Sequence, residues 1–107
     1  MTTPQLENAY ASIVIVYRGL ENIAQQAAQA NKADDQQWAD SLRSEFESVK
    51  TAADDAMDTD NTAAFRAGID QFRGKLEQII ARNLGQSQYE HGESINKHAK
   101  LLLDAQF

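Results

Sequence analysis

Several residue types are missing or scarce in this sequence, and each absence excludes a class of protein. No cysteine is present, which excludes disulfides, thiolate metal sites and cysteine nucleophiles. With one proline and five scattered glycines, the chain does not have the composition of a loop-rich all-β fold or a disordered protein. Its longest apolar run, residues 13–17, is far shorter than the ~20 residues of a membrane-spanning helix. No basic stretch precedes that run, as it would in a secretory signal. We expect a soluble, cytoplasmic protein without a membrane partner.

Basic residues are outnumbered by acidic ones, ten to sixteen, which gives a net charge of -6. Binding to a phosphate backbone needs clustered Lys and Arg, so we expect no direct contact with nucleic acid. The acidic residues are concentrated between Asp34 and Asp60, where nine of them accompany only Arg43 and Lys50. This concentration predicts an acidic surface suited to a partner with a basic one.

The first third of the chain has the apolar spacing of one long helix. Thr3 can cap it and Pro4 suits its first position, where a missing N–H costs nothing. The helix is expected to end near Ala30, and Ile15 falls on its polar face. Residues spaced by three and four form the apolar stripe: Leu6, Ala9, Tyr10, Ile13, Val16, Tyr17, Leu20, Ile23, Ala24 and Ala27.

The rest of the chain contains three further apolar stripes. Asp34 with Gln37 resembles a capping box and predicts the start of the second helix. Five cap-type residues at 58–62 predict a break, and Ser87 with Glu90 predicts the start of the last helix. Gly68 lies beside the third stripe, where it would allow another helix to approach. The stripes consist of Trp38, Leu42, Phe46, Val49, Ala53 and Met57; of Phe65, Ile69, Phe72, Leu76, Ile79 and Ile80, ending near Gly85; and of Ile95, Leu102 and Phe107.

Four helical segments joined by short connections predict an all-α protein, a single domain over residues 1–107 that forms an antiparallel up-down four-helix bundle. An alternative arises because Met57, Asn61 and Phe65 keep a four-residue step across the predicted break. The second and third helices would then be continuous, and the chain would be a long helical hairpin that forms a homodimer to bury its stripes.

The two histidines, His91 and His98, are the candidate metal ligands. Their seven-residue separation places them ~10 Å apart along a helix, too far for one metal ion. No glutamate lies three residues before either of them, as a di-metal bundle would require. The sequence also lacks a phosphate-binding loop, a nucleophile elbow and a zincin helix. We therefore expect no metal, no cofactor and no enzymatic activity. We interpret the histidines as boundary residues on a partly buried face, with a pH-sensitive contact as the alternative.

Trp38 and its surroundings partly resemble the small secreted helical-hairpin proteins that carry a Trp-x-Gly turn. The resemblance depends on Trp38 followed by Phe46, and on Tyr89 with Glu93, in a cysteine-free chain of similar length. Asp40 stands where that family has its glycine, and Trp38 falls inside a predicted helix rather than in a turn. The resemblance implies a secreted helical hairpin, and we keep a self-associating structural protein or a secreted helical-hairpin protein as an alternative.

The function predicted from these observations is a non-catalytic protein-interaction or regulatory module of the adaptor or inhibitor type. Its acidic helical face would bind a protein partner, with Trp38 either anchoring the core or serving as a contact hot spot. A second alternative is a small phage-type inhibitor that mimics nucleic-acid charge. A competing interpretation is that the acidic face of the second helix is neutralised inside the protein by basic residues of the third helix: Arg66, Arg73, Lys75 and Arg82. The candidate partner-binding residues are Asp40, Glu47, Asp54, Asp55, Asp58 and Trp38.

Overall fold

The computed structural model describes residues 4–59, 61–82 and 92–104, and these are all helical apart from short connections. They contain five helices: α1 (Pro4–Gln29), α2 (Ala33–Thr59), α3 (Thr62–Gln71), α4 (Arg73–Ala81) and α5 (Gly92–Asp104). The all-α prediction is confirmed. The predicted ends at Thr3, Gly85 and Phe107 and the capping box of Ser87 and Glu90 lie outside the described residues.

Helix α1 buries the stripe that its sequence predicts. The side chains of Leu6, Ile13, Val16, Leu20 and Ile23 are at most 1% exposed. Tyr10 and Tyr17 pack against the core from its edge and keep their hydroxyl groups in polar contacts. Ile15 differs from the prediction, because it is half-buried and lines a groove that Ser94 and Ile95 of α5 complete.

The turn between α1 and α2 is closed by Asn31, whose φ of 60° lies in the left-handed region. The N–H of Asn31 donates to the Ala28 carbonyl, and the N–H of Lys32 donates to the Ala27 carbonyl. This pair of bonds is a Schellman motif, and asparagine tolerates its left-handed position better than most side chains. Helix α2 begins at Ala33, so Asp34 lies in its first turn, where a carboxylate favours the helix dipole, instead of capping it as predicted.

The predicted break at residues 58–62 is confirmed. Helix α2 ends at Thr59, and Asn61 caps α3 by accepting a hydrogen bond from the Ala64 N–H at 3.2 Å. The first N–H groups of a helix have no carbonyl partner within that helix, and the Asn61 side chain supplies an acceptor for one of them in α3. Two separate helices occupy the region where the hairpin alternative requires a continuous one.

The predicted third helix is two helices, because the chain turns at Phe72. This residue has φ -102° and ψ 7°, and its N–H donates to the Ile69 carbonyl three residues back. The bend keeps Ile69 and Leu76 buried on either side of it, and the Phe72 ring packs edge-on against Phe46 at 5.6 Å. Sequence spacing could not reveal this bend, since the apolar stripe continues through it without a proline.

Helix α5 packs closely on α1 at Gly19. An added Cβ at Gly19 would lie 2.3 Å from Cγ1 and 2.5 Å from Cδ1 of Ile95, a side chain that is fully buried. The role predicted for Gly68 is wrong, because a Cβ there would meet only Ala52 at an ordinary 3.9 Å. Of Gly19, Gly68 and Gly74, it is therefore Gly19 whose missing side chain allows two helices to approach.

The buried side chains form one cluster to which all five helices contribute. Helix α1 contacts α2 and α5, while α2 also contacts α3, and α4 contacts α5. Among the residues described, no helix has the length and apolar character needed to cross a membrane.

Replacing glycine by alanine is expected to have opposite effects at Gly19 and Gly74. Gly74→Ala, where nothing lies within 4 Å of the new methyl group, should raise the free energy of unfolding by about 0.5–1 kcal/mol through helix propensity. Gly19→Ala should lower it by about 1 kcal/mol or more, because the overlap with Ile95 outweighs the same gain in propensity. Urea unfolding followed by circular dichroism measures both; equal stabilisation would show that α5 does not depend on Gly19.

Candidate interaction surfaces

All six predicted partner-binding residues lie on α2. Asp40, Glu47 and Asp54 are separated by seven residues, which is close to two helical turns, so they fall on one side of the helix. Asp58 follows one turn later on the same side, and Asp55 is displaced toward solvent. Trp38 points to the opposite side, toward α4, where Arg82 contacts it. The structure therefore separates Trp38 from the five carboxylates.

Asp54 is engaged inside the molecule. Its carboxylate accepts a hydrogen bond from the Tyr10 hydroxyl at 2.6 Å and another from Lys50 Nζ at 3.3 Å. The Tyr10 bond is the main reason that the pKa of Asp54 is lowered, and the same bond raises the pKa of the Tyr10 phenol. This contact joins α1 to α2.

The two basic residues of the acidic segment lie on the same side of α2 as its carboxylates. Arg43 Nε is 3.9 Å from the Asp40 carboxylate, and an Arg43 guanidinium nitrogen donates to the Tyr17 hydroxyl at 3.3 Å. Lys50 and Arg43 also lie about equally far from the Tyr17 ring centre, at 5.9 and 6.0 Å. Charges of opposite sign thus alternate along this side, which makes it less acidic than the sequence suggests.

Three of the predicted carboxylates keep their charge available to solvent. Glu47, Asp55 and Asp58 are exposed, and no Lys or Arg nitrogen of the described residues is recorded within 4 Å of them. We call these three residues the α2 acidic surface. It is smaller than the predicted face, since Asp40 and Asp54 have cationic neighbours.

Internal neutralisation, the competing interpretation, takes place on the other side of α2. Lys75 Nζ of α4 lies 3.4 Å from the Glu45 carboxylate, and Arg82 forms an ion pair with Asp35. Arg73 pairs with Asp70 and also donates to the Leu103 carbonyl. Lys75 and Arg82 therefore pair with acidic residues of α2 that are not among the predicted partner-binding residues, and the recorded ion pairs of Arg73, Lys75 and Arg82 do not include the α2 acidic surface.

Trp38 lies at the edge of the core next to α4. Its ring is half-buried, and the Arg82 guanidinium lies 4.3 Å from the ring centre, well within cation–π distance. It lies inside α2 instead of in a turn between helices, so the Trp-x-Gly arrangement of the hairpin family is not reproduced here. The sequence analysis named Lys75 and Arg82 as residues that could neutralise the second helix, but it did not identify their partners Glu45 and Asp35 or the stacking of Arg82 on Trp38.

His98 contacts the only polar side chain that is buried among the described residues. Its Nδ1 and the Ser12 Oγ are 3.0 Å apart, and this hydrogen bond joins α5 to α1. Burial is the main cause of a lowered His98 pKa, with the charge of Lys97 adding to it. His91 lies outside the described residues, and within them no group of three His, Asp or Glu side chains is arranged to hold a metal ion.

Comparison with known proteins yields no match to a family model, a curated protein or a solved structure.

Replacing Tyr10 by phenylalanine should raise the pKa of Asp54 toward its ordinary value, since the donor that stabilises the carboxylate is lost. The free energy of unfolding should fall by about 1 kcal/mol at neutral pH, a modest figure because the Asp54 side chain is 43% exposed. Because its pKa is lowered by folding, Asp54 stabilises the protein above its unfolded pKa, and this contribution disappears as the pH falls through the folded value. Carboxyl NMR titration measures the change.

Tyr17→Phe is the matched control for this measurement, because it removes a hydroxyl that bonds to Arg43 instead of Asp54. An Asp54 pKa that is the same in both variants would contradict the assignment.

His98 should make stability depend on pH in a defined direction. Its pKa is lower in the folded than in the unfolded protein, so the unfolded state binds more protons between the two values. The free energy of unfolding should therefore decrease as the pH falls below about 6.5, the ordinary histidine value, and level off below the folded pKa. Urea unfolding of the wild type and of His98→Gln across this pH range measures the effect as the difference between their free energies of unfolding. A difference that does not vary with pH would contradict the assignment to His98.

Proposed function

We propose that the protein is a non-catalytic interaction or regulatory module that binds a protein partner with a basic surface. The observation that carries this proposal is the α2 acidic surface, whose three carboxylates are exposed and form no ion pair within 4 Å among the described residues. A partner's Lys or Arg side chains would supply the missing counter-charges, which raises the association rate and favours basic over acidic partners.

The remaining predicted residues have secondary roles in this proposal. Asp40 and Asp54 lie on the same side of α2 and extend the negative field, but each already has a basic neighbour. Trp38 lies on the other side, so a partner that reaches both must follow the surface around α2 to the groove that this helix forms with α4.

We further propose that the helices form the up-down antiparallel bundle predicted from the sequence, with α3 and α4 together acting as its third helix. The pairing of Tyr10 with Asp54 and of Tyr17 with Arg43 supports opposite directions for α1 and α2. The contacts of Phe46 with Phe72, of Glu45 with Lys75 and of Asp35 with Arg82 support the same relation between α2 and the α3–α4 segment.

Affinity capture from the source cell tests the binding proposal. The variant Glu47→Gln with Asp55→Asn and Asp58→Asn removes the charge of the α2 acidic surface and should reduce recovery of a basic partner several-fold at low salt. The difference should shrink as salt is added, because surface charges are screened within ~8–10 Å at physiological ionic strength.

The matched control removes three other exposed carboxylates, with Glu21→Gln, Glu77→Gln and Glu93→Gln, and leaves the net charge of the two variants equal. Equal recovery from the two variants would contradict a localised binding surface.

Competition by added DNA for the captured partner would identify it as a nucleic-acid-binding protein, the target expected of a charge-mimicking inhibitor.

A further inference from the structure

A groove of about 350 Å³ runs between α2 and α4 beside Trp38. The buried Leu42 and the half-buried Trp38 supply its apolar lining. Its charged lining consists of Asp34 and Glu45 from α2 and Lys75 from α4. Aromatic surface and carboxylates close together are the two groups that an arginine side chain contacts best, the first with its planar face and the second with its N–H groups.

The protein already holds one guanidinium by this combination at the end of the groove. Arg82 stacks over the Trp38 ring at 4.3 Å while its guanidinium bonds to the Asp35 carboxylate. This internal contact shows that the local geometry lets an aromatic ring and an α2 carboxylate bind the same planar cation.

The charges along the groove leave two carboxylates, about three helical turns apart on α2, accessible to added cations. Asp34 is exposed, and no ion pair to it is recorded within the described residues. Glu45 is paired with Lys75, but the two side chains are 48% and 41% exposed, so the pair is accessible to a competing group. Surface ion pairs of this kind contribute little stability and can be exchanged at low cost.

We propose that this groove binds arginine side chains of the basic protein partner, one with its guanidinium at Asp34 and its methylene groups against Trp38, about one turn along the helix, and a second with its guanidinium at Glu45, about three turns from Asp34. The inference rests on the proposed function for the existence of a basic partner, and it adds a defined contact on the other side of α2. Lys75 acts as an internal competitor, because it occupies the Glu45 carboxylate and repels an incoming cation.

Titration with a short arginine-rich peptide tests the groove directly. Trp38 is the only tryptophan of the chain, so its fluorescence and its indole N–H resonance report binding without added labels. Both signals should shift with the arginine peptide and stay unchanged with a peptide that carries glutamine at every arginine. A lysine-rich peptide that binds equally well would overturn the guanidinium assignment.

Substitutions at the charged positions should change affinity in opposite directions. Glu45→Gln and Asp34→Asn should each weaken peptide binding about two- to five-fold, the range of a single exposed charge pair. Lys75→Gln should strengthen it by a similar factor, since Glu45 is released and a like charge is removed. Lys100→Gln, an exposed lysine on α5, changes the net charge equally and should have little effect.

Equal strengthening by Lys75→Gln and Lys100→Gln would overturn the proposal, because affinity would then follow net charge alone.

The groove and the α2 acidic surface can fail separately. If partner capture depends on the α2 acidic surface while the Trp38 signals ignore the peptide, the groove proposal is wrong and the proposed function stands. If the Trp38 signals follow the predicted pattern while capture is unchanged by the α2 variant, the groove stands and the α2 acidic surface is wrong.

Discussion

Burial of the apolar stripe of α1 is the constraint on which the other helices depend. This helix contacts both α2 and α5, and its stripe supplies the surface against which their apolar side chains are removed from water. Removal of apolar surface from water is the main driving force for folding, at about 25 cal/mol per Å². Gly19 adds a geometric requirement, since the fully buried Ile95 occupies the space where a larger residue would project.

Burial of this stripe also decides which polar side chains at the edges of the helices come close enough to bond. Along the seam of α1 and α2, Tyr10 and Tyr17 place their rings against the core and their hydroxyl groups at the surface. Those hydroxyl groups then engage Asp54 and Arg43. Between α1 and α5, the buried Ser12 is paired with His98, as the cost of an unpaired buried hydroxyl requires. These contacts fix which charges are used inside the molecule.

The charges left over define the two surfaces on which binding is proposed. On one side of α2, Glu47 lies among the alternating charges of the α1 seam without an ion pair, and Asp55 and Asp58 follow it toward the end of the helix. On the other side, Trp38 and Glu45 line a groove with α4, where internal cations already satisfy part of the negative charge. A basic partner would be attracted over a long range by the α2 acidic surface. In the groove beside Trp38 it would form direct side-chain contacts.

The sequence by itself determined the helical class, the course of α1 and α2, and the separation of α2 from α3, because apolar spacing and capping residues are local signals. The carboxylates of α2 were also visible in the sequence. Lys50 lies one turn from Asp54 on the same helix, which is also a local relation, but only the tertiary structure decided that Tyr10 of α1 engages Asp54 as well. The bend at Phe72, the close approach at Gly19 and the pairing of Arg82 with Trp38 depend likewise on contacts between helices. In each of these contacts the two residues are far apart along the chain, so the spacing of residues within one helix does not predict which of them will be neighbours.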